Sequence, residues 1–162
     1  MNRPQPIDQS ANDDWLDTSL PQSDDAIPSL LRRHLTTIRE RIVEDGLMAL
    51  SWVSGVYTQD IASSLLEAIS RCTLDDPAPE RCILLKPGEA HLGALLRGGL
   101  NSDVENLPDH QDDSYLIVNG AVVLDMTPIV SHGGRPEFSD DAAVASVYVS
   151  HFNRLRQRCL TT

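Results

Sequence analysis

The spacing of apolar residues changes several times along the chain, and each change marks a different element. Between Ser29 and Gly46 the apolar residues recur every three to four positions, which predicts an amphipathic helix capped by Ser29 and stopped by Gly46. The apolar residues of this helix are Leu31, Leu35, Ile38 and Ile42. Residues 47–53 then form a nearly unbroken apolar run, too short for most helices, which is typical of a strand covered on both faces.

A second helix and two further strands follow this first strand. Thr58 opens the helix, which ends in the polar stretch 75–79. Its apolar face consists of Ile61, Leu65, Ala68, Ile69 and Cys72. Residues 80–86 form a second buried strand, and a short helix that stops at Gly98-Gly99 leads to a weaker, alternating strand at 102–108.

The strongest local signal is a hairpin within residues 114–126. Two apolar runs are joined there by Asn119-Gly120, and both residues tolerate positive φ, so a type I′ turn is expected. We interpret the following segment, with its prolines and glycines, as a loop. Its turn residues are Pro128, Gly133, Gly134 and Pro136. A last helix, capped by Ser139, is expected to place five residues inward. These residues are Val144, Tyr148, Phe152, Leu155 and Cys159.

This order, α-β-α-β-α-β-β-β-α, predicts an α/β domain over residues 29–160, with a mixed sheet sandwiched by helices. Residues 1–28 differ in composition: they hold four prolines and one arginine against six aspartates. Such a segment has too few large apolar groups to offset the entropy of ordering, so a disordered acidic tail is expected. Trp15-Leu16 interrupts its polar pattern, which leaves open either a docking motif or a tail that rests on its own domain.

Net charge and the cysteines indicate which partners and which compartment to expect. A net charge of -11 argues against nucleic acid and against an anionic membrane surface as partners, because both favour clustered basic residues. The three cysteines are widely spaced in apolar stretches and indicate buried thiols in a reducing compartment. We find neither a leader-like apolar segment nor a membrane span, and we expect a cytoplasmic protein without a cofactor.

Three stretches of the chain resemble the phospholipase D superfamily. They are ILLK at 83–86, LPDHQDDSYLIVNG at 107–120 and FSDDAAVASVYVSHFNRL at 138–155. With the order β-α-β-α-β, hairpin and closing helix, they are similar to one half of that superfamily, in the degenerate form found in bacterial proteins. The resemblance covers residues 30–160. It implies a phospholipase D-like half-domain, and, because such halves often pair side by side, a homodimer.

The same resemblance argues against the chemistry of active members. Those members carry His-x-Lys, four further residues and Asp, in which His attacks phosphorus, Lys neutralises the phosphoryl charge and Asp orients the imidazole. At the matching positions this chain has Asp112, Ser114 and Asn119. Shifting the register to use His110 again places Asp112, a carboxylate, where the lysine belongs. We therefore predict no catalytic residues and no phosphodiesterase activity.

Two other segments are candidates for ligand binding. Residues 109–113 are rich in Asp and His and, with Asp103, Asp125 or His132, are suited to a divalent metal, although a solvated acidic loop has the same composition and no metal-binding spacing is present. His132 is followed by two glycines and Arg135, an arrangement suited either to an anion or to a simple turn. The candidate ligand residues are His110, Asp112, Asp113, His132 and Arg135.

Several further polar residues favour structural roles. Ser54-Gly55 follows the first strand, where ligands collect in α/β sheets, but it lacks the glycine patterns of nucleotide sites and nucleophile elbows. His91 and His151 are expected as half-buried structural residues of helices. The cysteines have no neighbouring His or Lys in the sequence to lower a thiol pKa.

Three functional hypotheses follow. The first is a non-catalytic binding or regulatory module with a degenerate phospholipase D-like fold, acting as a homodimer or with a protein partner. The second is a metal- or anion-dependent phosphoester hydrolase that uses the 109–113 loop. The third is an adaptor that docks a protein through its acidic N-terminal tail.

Overall fold

The computed structural model describes residues 27–71, 80–100 and 102–160. The helices are α1 (Ser29–Asp45), α2 (Thr58–Ser70), α3 (Gly93–Leu100), α4 (Thr127–His132) and α5 (Ala142–Leu160), and a 3₁₀ turn, Ala90–Leu92, leads into α3. The strands are β1 (Ala49–Val53), β2 (Glu80–Leu85), β3 (Asp103–Asn106), β4 (Tyr115–Val118), β5 (Val122–Asp125) and β6 (Glu137–Ser139). Cys72 and the predicted tail up to residue 26, with Trp15-Leu16, lie outside the described residues.

The described strands form one mixed sheet in the order β3-β2-β1-β4-β5-β6. The strands β1, β2 and β3 are parallel, whereas β4 is antiparallel to β1, β5 to β4 and β6 to β5. The carboxyl ends of β1, β2, β3 and β5 therefore share one edge of the sheet with the amino ends of β4 and β6. We call this the upper edge, and it is the edge at which ligands collect in α/β folds.

Helices cover both faces of the sheet, as the apolar runs predict. Leu50, Trp52 and Ile83 pack on one face against α1, α2 and α3 in a core that also includes Ile27. On the other face Tyr115 and Ile117 pack against α5. The α/β prediction, with a mixed sheet between helices, is confirmed. Ile27, which we assigned to the tail, is buried.

The hairpin adopts the predicted turn, because Asn119 and Gly120 have φ of 56° and 63°. The Asn119 side chain also binds the chain before β1: its Oδ1 accepts hydrogen bonds from the Met48 and Ala49 amides at 2.6 and 3.0 Å, and its Nδ2 donates to the Gly46 carbonyl at 2.9 Å. These contacts lie at the lower end of β4, opposite the upper edge. Asn119 therefore joins the hairpin to the start of β1.

Four local predictions are corrected. The segment read as a loop contains α4 and β6, because Pro128 lies in the first helical turn, where its missing N–H costs nothing, and a three-residue strand is too short to show alternation. Ser29 lies inside α1 and Pro28 precedes it. The last helix is capped by Asp141, whose Oδ1 accepts the Ala143 amide at 2.8 Å, and not by Ser139, which ends β6.

The fourth correction concerns the inward face of α5. Phe152 and Leu155 are buried as predicted, and Tyr148 and Cys159 are partly buried against the same core. Val144, in contrast, is exposed, and the neighbouring Ala145 is buried in its place. The face of α5 that meets the sheet is therefore rotated by one residue at the first turn of the helix.

Candidate ligand-binding site

Four buried polar residues and the partly buried Glu89 form a group at the ends of β1 and β2, which we call the lysine cluster. Its members are Ser54, Thr58, Lys86, Glu89 and Ser114. Ser54 Oγ donates to Glu89 Oε1 at 2.5 Å, and Thr58 Oγ1 donates to Glu89 Oε2 at 3.0 Å. Ser54 Oγ in turn accepts the Lys86 amide at 3.2 Å. The Glu89 carboxylate thus ties the start of α2 to the ends of both strands.

Lys86 is the only lysine of the chain, and its side chain is only 6% exposed. Its Nζ lies 3.0 Å from the point that a Cβ on Gly55 would occupy, and Ser114 Oγ lies 2.6 Å from the same point. The absence of a side chain at Gly55 makes room for this ammonium group. Burial lowers the pKa of Lys86 below its usual value, and the carboxylates of Asp112, Glu89 and Asp113 oppose that shift.

A cavity of about 300 Å³ opens beside this cluster, between the upper edge and α5; we call it the tyrosine cleft. Its lining residues are Asp113, Tyr115, Asp125, Thr127, Val147, Tyr148, His151 and Arg154. Asp125 and Thr127 come from the end of β5 and the start of α4, and Asp113 and Tyr115 flank the start of β4. Tyr148 and His151 lie three residues apart on α5 and therefore face the same side of that helix.

Hydrogen bonds hold the polar groups of the cleft in place. Tyr148 donates its hydroxyl to Asp125 Oδ2 at 2.5 Å, and the Thr127 amide donates to Asp125 Oδ1 at 2.9 Å. The Tyr115 hydroxyl lies 2.7 Å from His151 Nδ1. If that hydroxyl donates, the proton of a neutral imidazole resides on Nε2, which faces Asp113 Oδ2 at 3.7 Å. The cleft is thus a network of phenol, imidazole and carboxylate groups.

The two tyrosines of the cleft favour their neutral forms. Burial raises the pKa of both Tyr115 and Tyr148 well above the usual tyrosine range, and the nearby carboxylates add to the shift. Burial likewise raises the pKa of the Cys82 thiol to about 12, and that of Cys159 in the same direction. Both phenols therefore keep their protons, Tyr148 donates to Asp125, and neither described cysteine is a reactive thiolate.

The structure does not bring the described members of the predicted ligand set into one site. The side chains of His110 and Asp112 are 79% and 61% exposed and face each other across 4.0 Å. Arg135 is exposed after α4, and the position of the His132 side chain lies outside what the structure describes. Of the four whose side chains are described, Asp113 alone lines the tyrosine cleft.

The metal interpretation of the 109–113 loop finds no support in the geometry. Across residues 27–71, 80–100 and 102–160, no group of three or more His, Cys, Asp or Glu side chains is placed to hold a metal ion. Asp109 Oδ2 instead accepts a hydrogen bond from Arg158 Nη2 at 2.7 Å. The loop is therefore tied to the end of α5 by an ion pair.

The three positions taken from the phospholipase D resemblance do not meet either. Ser114 is fully buried at the upper end of β4, Asp112 lies in the exposed loop before it, and Asn119 lies beyond the lower end of the strand. Four strand residues separate Ser114 from Asn119, a distance of about 15 Å along a strand. Asn119 therefore has a structural role in this chain.

Sequence reasoning missed most of the cleft and of the cluster. His151 was interpreted as a structural residue and Lys86 was given no role, although a single lysine at the end of a buried strand is a usable signal. Tyr148 was predicted to face inward, which is correct, but its contact with Asp125 joins residues 23 positions apart. No local pattern connects such partners.

A larger groove of about 520 Å³ lies between α1 and α2, away from the upper edge. Three of its charged side chains pair with one another: Arg39 lies 3.4 Å and Arg71 3.8 Å from the carboxylate of Glu67. The groove lies between two helices and not at the upper edge, where ligands collect in α/β folds.

Comparison with known proteins gives little further identification. No protein-family model matches the chain, and no curated protein sequence matches it. Among solved structures, the chain is similar to TrmBL2, an archaeal chromatin protein with a novel mode of DNA binding. The similarity has a TM-score of 0.49 at 14% identity, and it covers 75% of this chain and 48% of the other. The chain thus spans about half the length of that protein.

One expectation drawn from composition is corrected. We predicted that nucleic acid is excluded as a partner, whereas the similar chain belongs to a DNA-binding protein, and net charge alone does not support the exclusion. The physical reason is that a net charge of -11 is a sum over the whole chain and does not set the charge of any one surface. For the membrane, the finding is narrower: among the described helices, none has both the length and the apolar character needed to span one.

Proposed function

We propose that this chain is a non-catalytic binding or regulatory module that takes a small ligand in the tyrosine cleft. The observation that carries the proposal is the cleft itself: a cavity of about 300 Å³ at the carboxyl end of β5, lined by aromatic and carboxylate side chains in a fixed network. Ligand sites in α/β folds occur at this edge, and cavities of this size suit small molecules.

The absence of an activated nucleophile among the described residues supports binding over catalysis. Ser54 donates to a carboxylate but is fully buried, so its hydroxyl cannot meet a substrate. The described thiols and the two tyrosines of the cleft favour their protonated forms. His110 and Asp112 are exposed and lie 4.0 Å from each other, and no nucleophilic side chain among the described residues is bonded to either of them.

We further propose that the fold is a degenerate phospholipase D-like half-domain. This rests on the order β-α-β-α-β, hairpin and closing helix, and on the three stretches that resemble that superfamily. In such a half-domain Asp112 and Ser114, at the positions of the catalytic histidine and lysine of active members, precede β4 at the upper edge, where the tyrosine cleft and the lysine cluster lie.

Two measurements on the full chain test the proposed function. Hydrolysis of bis(p-nitrophenyl) phosphate and of phosphatidylcholine vesicles is expected to stay at the level of buffer alone. A screen of small polar fragments by two-dimensional NMR is expected to shift the amide signals of Asp113, Asp125, Tyr148 and His151 together. Turnover that disappears on Asp112→Asn or His110→Ala would overturn the proposal, as would fragments that bind only away from the cleft.

A further inference from the structure

The charged side chains that line the tyrosine cleft are two carboxylates and one guanidinium, so negative charge is in excess there. Its two carboxylates, Asp113 and Asp125, face one guanidinium, that of Arg154, and one imidazole whose Nδ1 is already engaged by Tyr115. The carboxylates that act on Tyr148 also include Glu137, on the neighbouring β6. With a neutral imidazole, the lining side chains sum to a charge of -1.

Of the two carboxylates, Asp113 is the one that keeps the greater capacity to accept hydrogen bonds from a ligand. Within the described residues neither of its oxygens accepts a hydrogen bond, and His151 Nε2 approaches Oδ2 only to 3.7 Å. The side chain is 39% exposed, so a ligand can reach it. Asp125, in contrast, accepts from Tyr148 and from the Thr127 amide and is held in one orientation. Asp113 is therefore the group best placed to accept new N–H donors.

Aromatic rings stand beside these carboxylates. Tyr148 packs edge-on against Tyr115, with 5.2 Å between ring centroids and 79° between planes, and His151 lies 5.7 Å from Tyr115. Val147, at 68% exposure, adds an apolar rim. An aromatic ring next to a carboxylate attracts an organic cation through the ring quadrupole and the charge together, whereas an anion is repelled by both.

We propose, resting on the proposed binding function, that the ligand of the tyrosine cleft is a small organic ammonium compound. Its N–H groups donate to Asp113, and its apolar part packs on Tyr148 and Val147. The volume sets its size: a cavity of about 150 Å³ holds one benzene ring, so about 300 Å³ holds one ring with a short arm, or an aliphatic amine of similar bulk.

Three compounds of one shape test the charge preference: benzylammonium, benzyl alcohol and benzoate. Titrated into the full chain near neutral pH and followed by NMR, benzylammonium is expected to saturate the shifts of Asp113, Tyr148 and His151 with a Kd of about 1 mM, as suits a fragment of this size. Benzyl alcohol is expected to bind about tenfold more weakly, because it lacks the charge. Benzoate is expected to show no saturable shift.

Two matched variants test which carboxylate holds the ammonium group. Asp113→Asn is expected to weaken benzylammonium at least about fivefold, whereas Asp112→Asn, one residue away but outside the cleft lining, is expected to leave its affinity unchanged. The thermal unfolding temperature of each variant confirms that both remain folded.

The outcomes separate the two proposals. Binding of benzoate or benzyl alcohol in the cleft, as tightly as benzylammonium or more so, overturns the cationic ligand and leaves the binding function standing. Equal weakening by Asp112→Asn and Asp113→Asn overturns it as well, since a general charge effect is then sufficient. No saturation by any of the three compounds overturns the cationic ligand, and the fragment screen then decides the proposed function by itself.

Discussion

In the lysine cluster, the carboxylate of Glu89 accepts hydrogen bonds from two buried hydroxyls, whereas in the tyrosine cleft the carboxylate of Asp113 accepts none from the described residues. The two regions are neighbours: the Ser114 amide donates to Thr127 Oγ1 at 3.1 Å and so joins them along the upper edge. In the first region the Glu89 carboxylate is bonded by hydroxyls of the same cluster, whereas in the second region Asp113 faces a cavity.

This difference shows that location at the upper edge is not sufficient to make a binding site. Both groups lie where α/β folds collect ligands, and both contain charged residues. Matched polar groups in a buried cluster position the backbone, because their hydrogen-bonding capacity is already used. An exposed carboxylate beside aromatic rings keeps capacity for a ligand. Substitutions in the two regions should therefore act on different properties, stability in the cluster and binding in the cleft.

The largest effect is expected from Gly55→Ala in the lysine cluster. The new Cβ would lie 2.6 Å from Ser114 Oγ and 2.7 Å from Ser114 Cβ, and Ser114 is fully buried, so the clash cannot be relieved by a small movement. We expect a loss of about 3 kcal/mol in the free energy of unfolding, measured by urea denaturation. Gly98→Ala is the control: nothing lies within 4 Å of that Cβ, so a helical alanine should stabilise slightly. A neutral Gly55→Ala would contradict the tight packing of the cluster.

Glu89→Ala is expected to cost about 2 kcal/mol, because the hydroxyls of Ser54 and Thr58 lose a charged acceptor. The same urea measurement applies. Glu44→Ala, at an exposed position of α1, should change stability by no more than about 0.5 kcal/mol. Equal effects of the two variants would show that the cluster does not stabilise the upper edge.

Raising the pH should change the free energy of unfolding in opposite directions through the two regions. The pKa values of Tyr115 and Tyr148 are raised from the usual 10.0, so the stability from their burial is complete below pH 10.0 and is lost as the pH rises above it. The pKa of Lys86 is lowered from 10.5, so its burial cost is complete at neutral pH and is relieved as the pH rises through the folded value toward 10.5.

Urea unfolding midpoints between about pH 8 and about pH 11 test this contrast. Tyr148→Phe is expected to reduce the loss of stability at alkaline pH. Lys86→Met is expected to enlarge that loss, because it removes the gain in stability that comes from deprotonation of Lys86. Each variant serves as the control for the other, because they sit in different regions. Identical pH profiles for both variants and the unaltered chain would contradict the assignment of these groups.

The smallest effect on stability is expected from Asp113→Asn in the cleft. Since no hydrogen bond to Asp113 is lost within the described residues, the free energy of unfolding should change by no more than about 0.5 kcal/mol. Differential scanning calorimetry provides the measurement. A loss as large as that of Glu89→Ala would instead make Asp113 a structural residue and remove the contrast between cleft and cluster.

Local sequence signals predicted much of the fold but little of the site. The spacing of apolar residues between Leu31 and Ile42 predicted a helix, and Asn119-Gly120 predicted a turn. Both signals depend only on neighbouring residues, and both predictions are confirmed. The short elements α4 and β6 were missed because they have fewer residues than one clear period needs. Among the predicted ligand residues whose side chains the structure describes, Asp113 alone reaches the cleft.

The sequence by itself determined which segments form helices and buried strands, because periodicity and turn chemistry act over a few residues. Only the tertiary structure decided which polar residues meet. Lys86 reaches Gly55 and Ser114 because β1 lies between β2 and β4 in the sheet, and Tyr148 reaches Asp125 because α5 packs across β5. Contacts of this kind follow from strand order and helix placement, which depend on the packing of the whole domain.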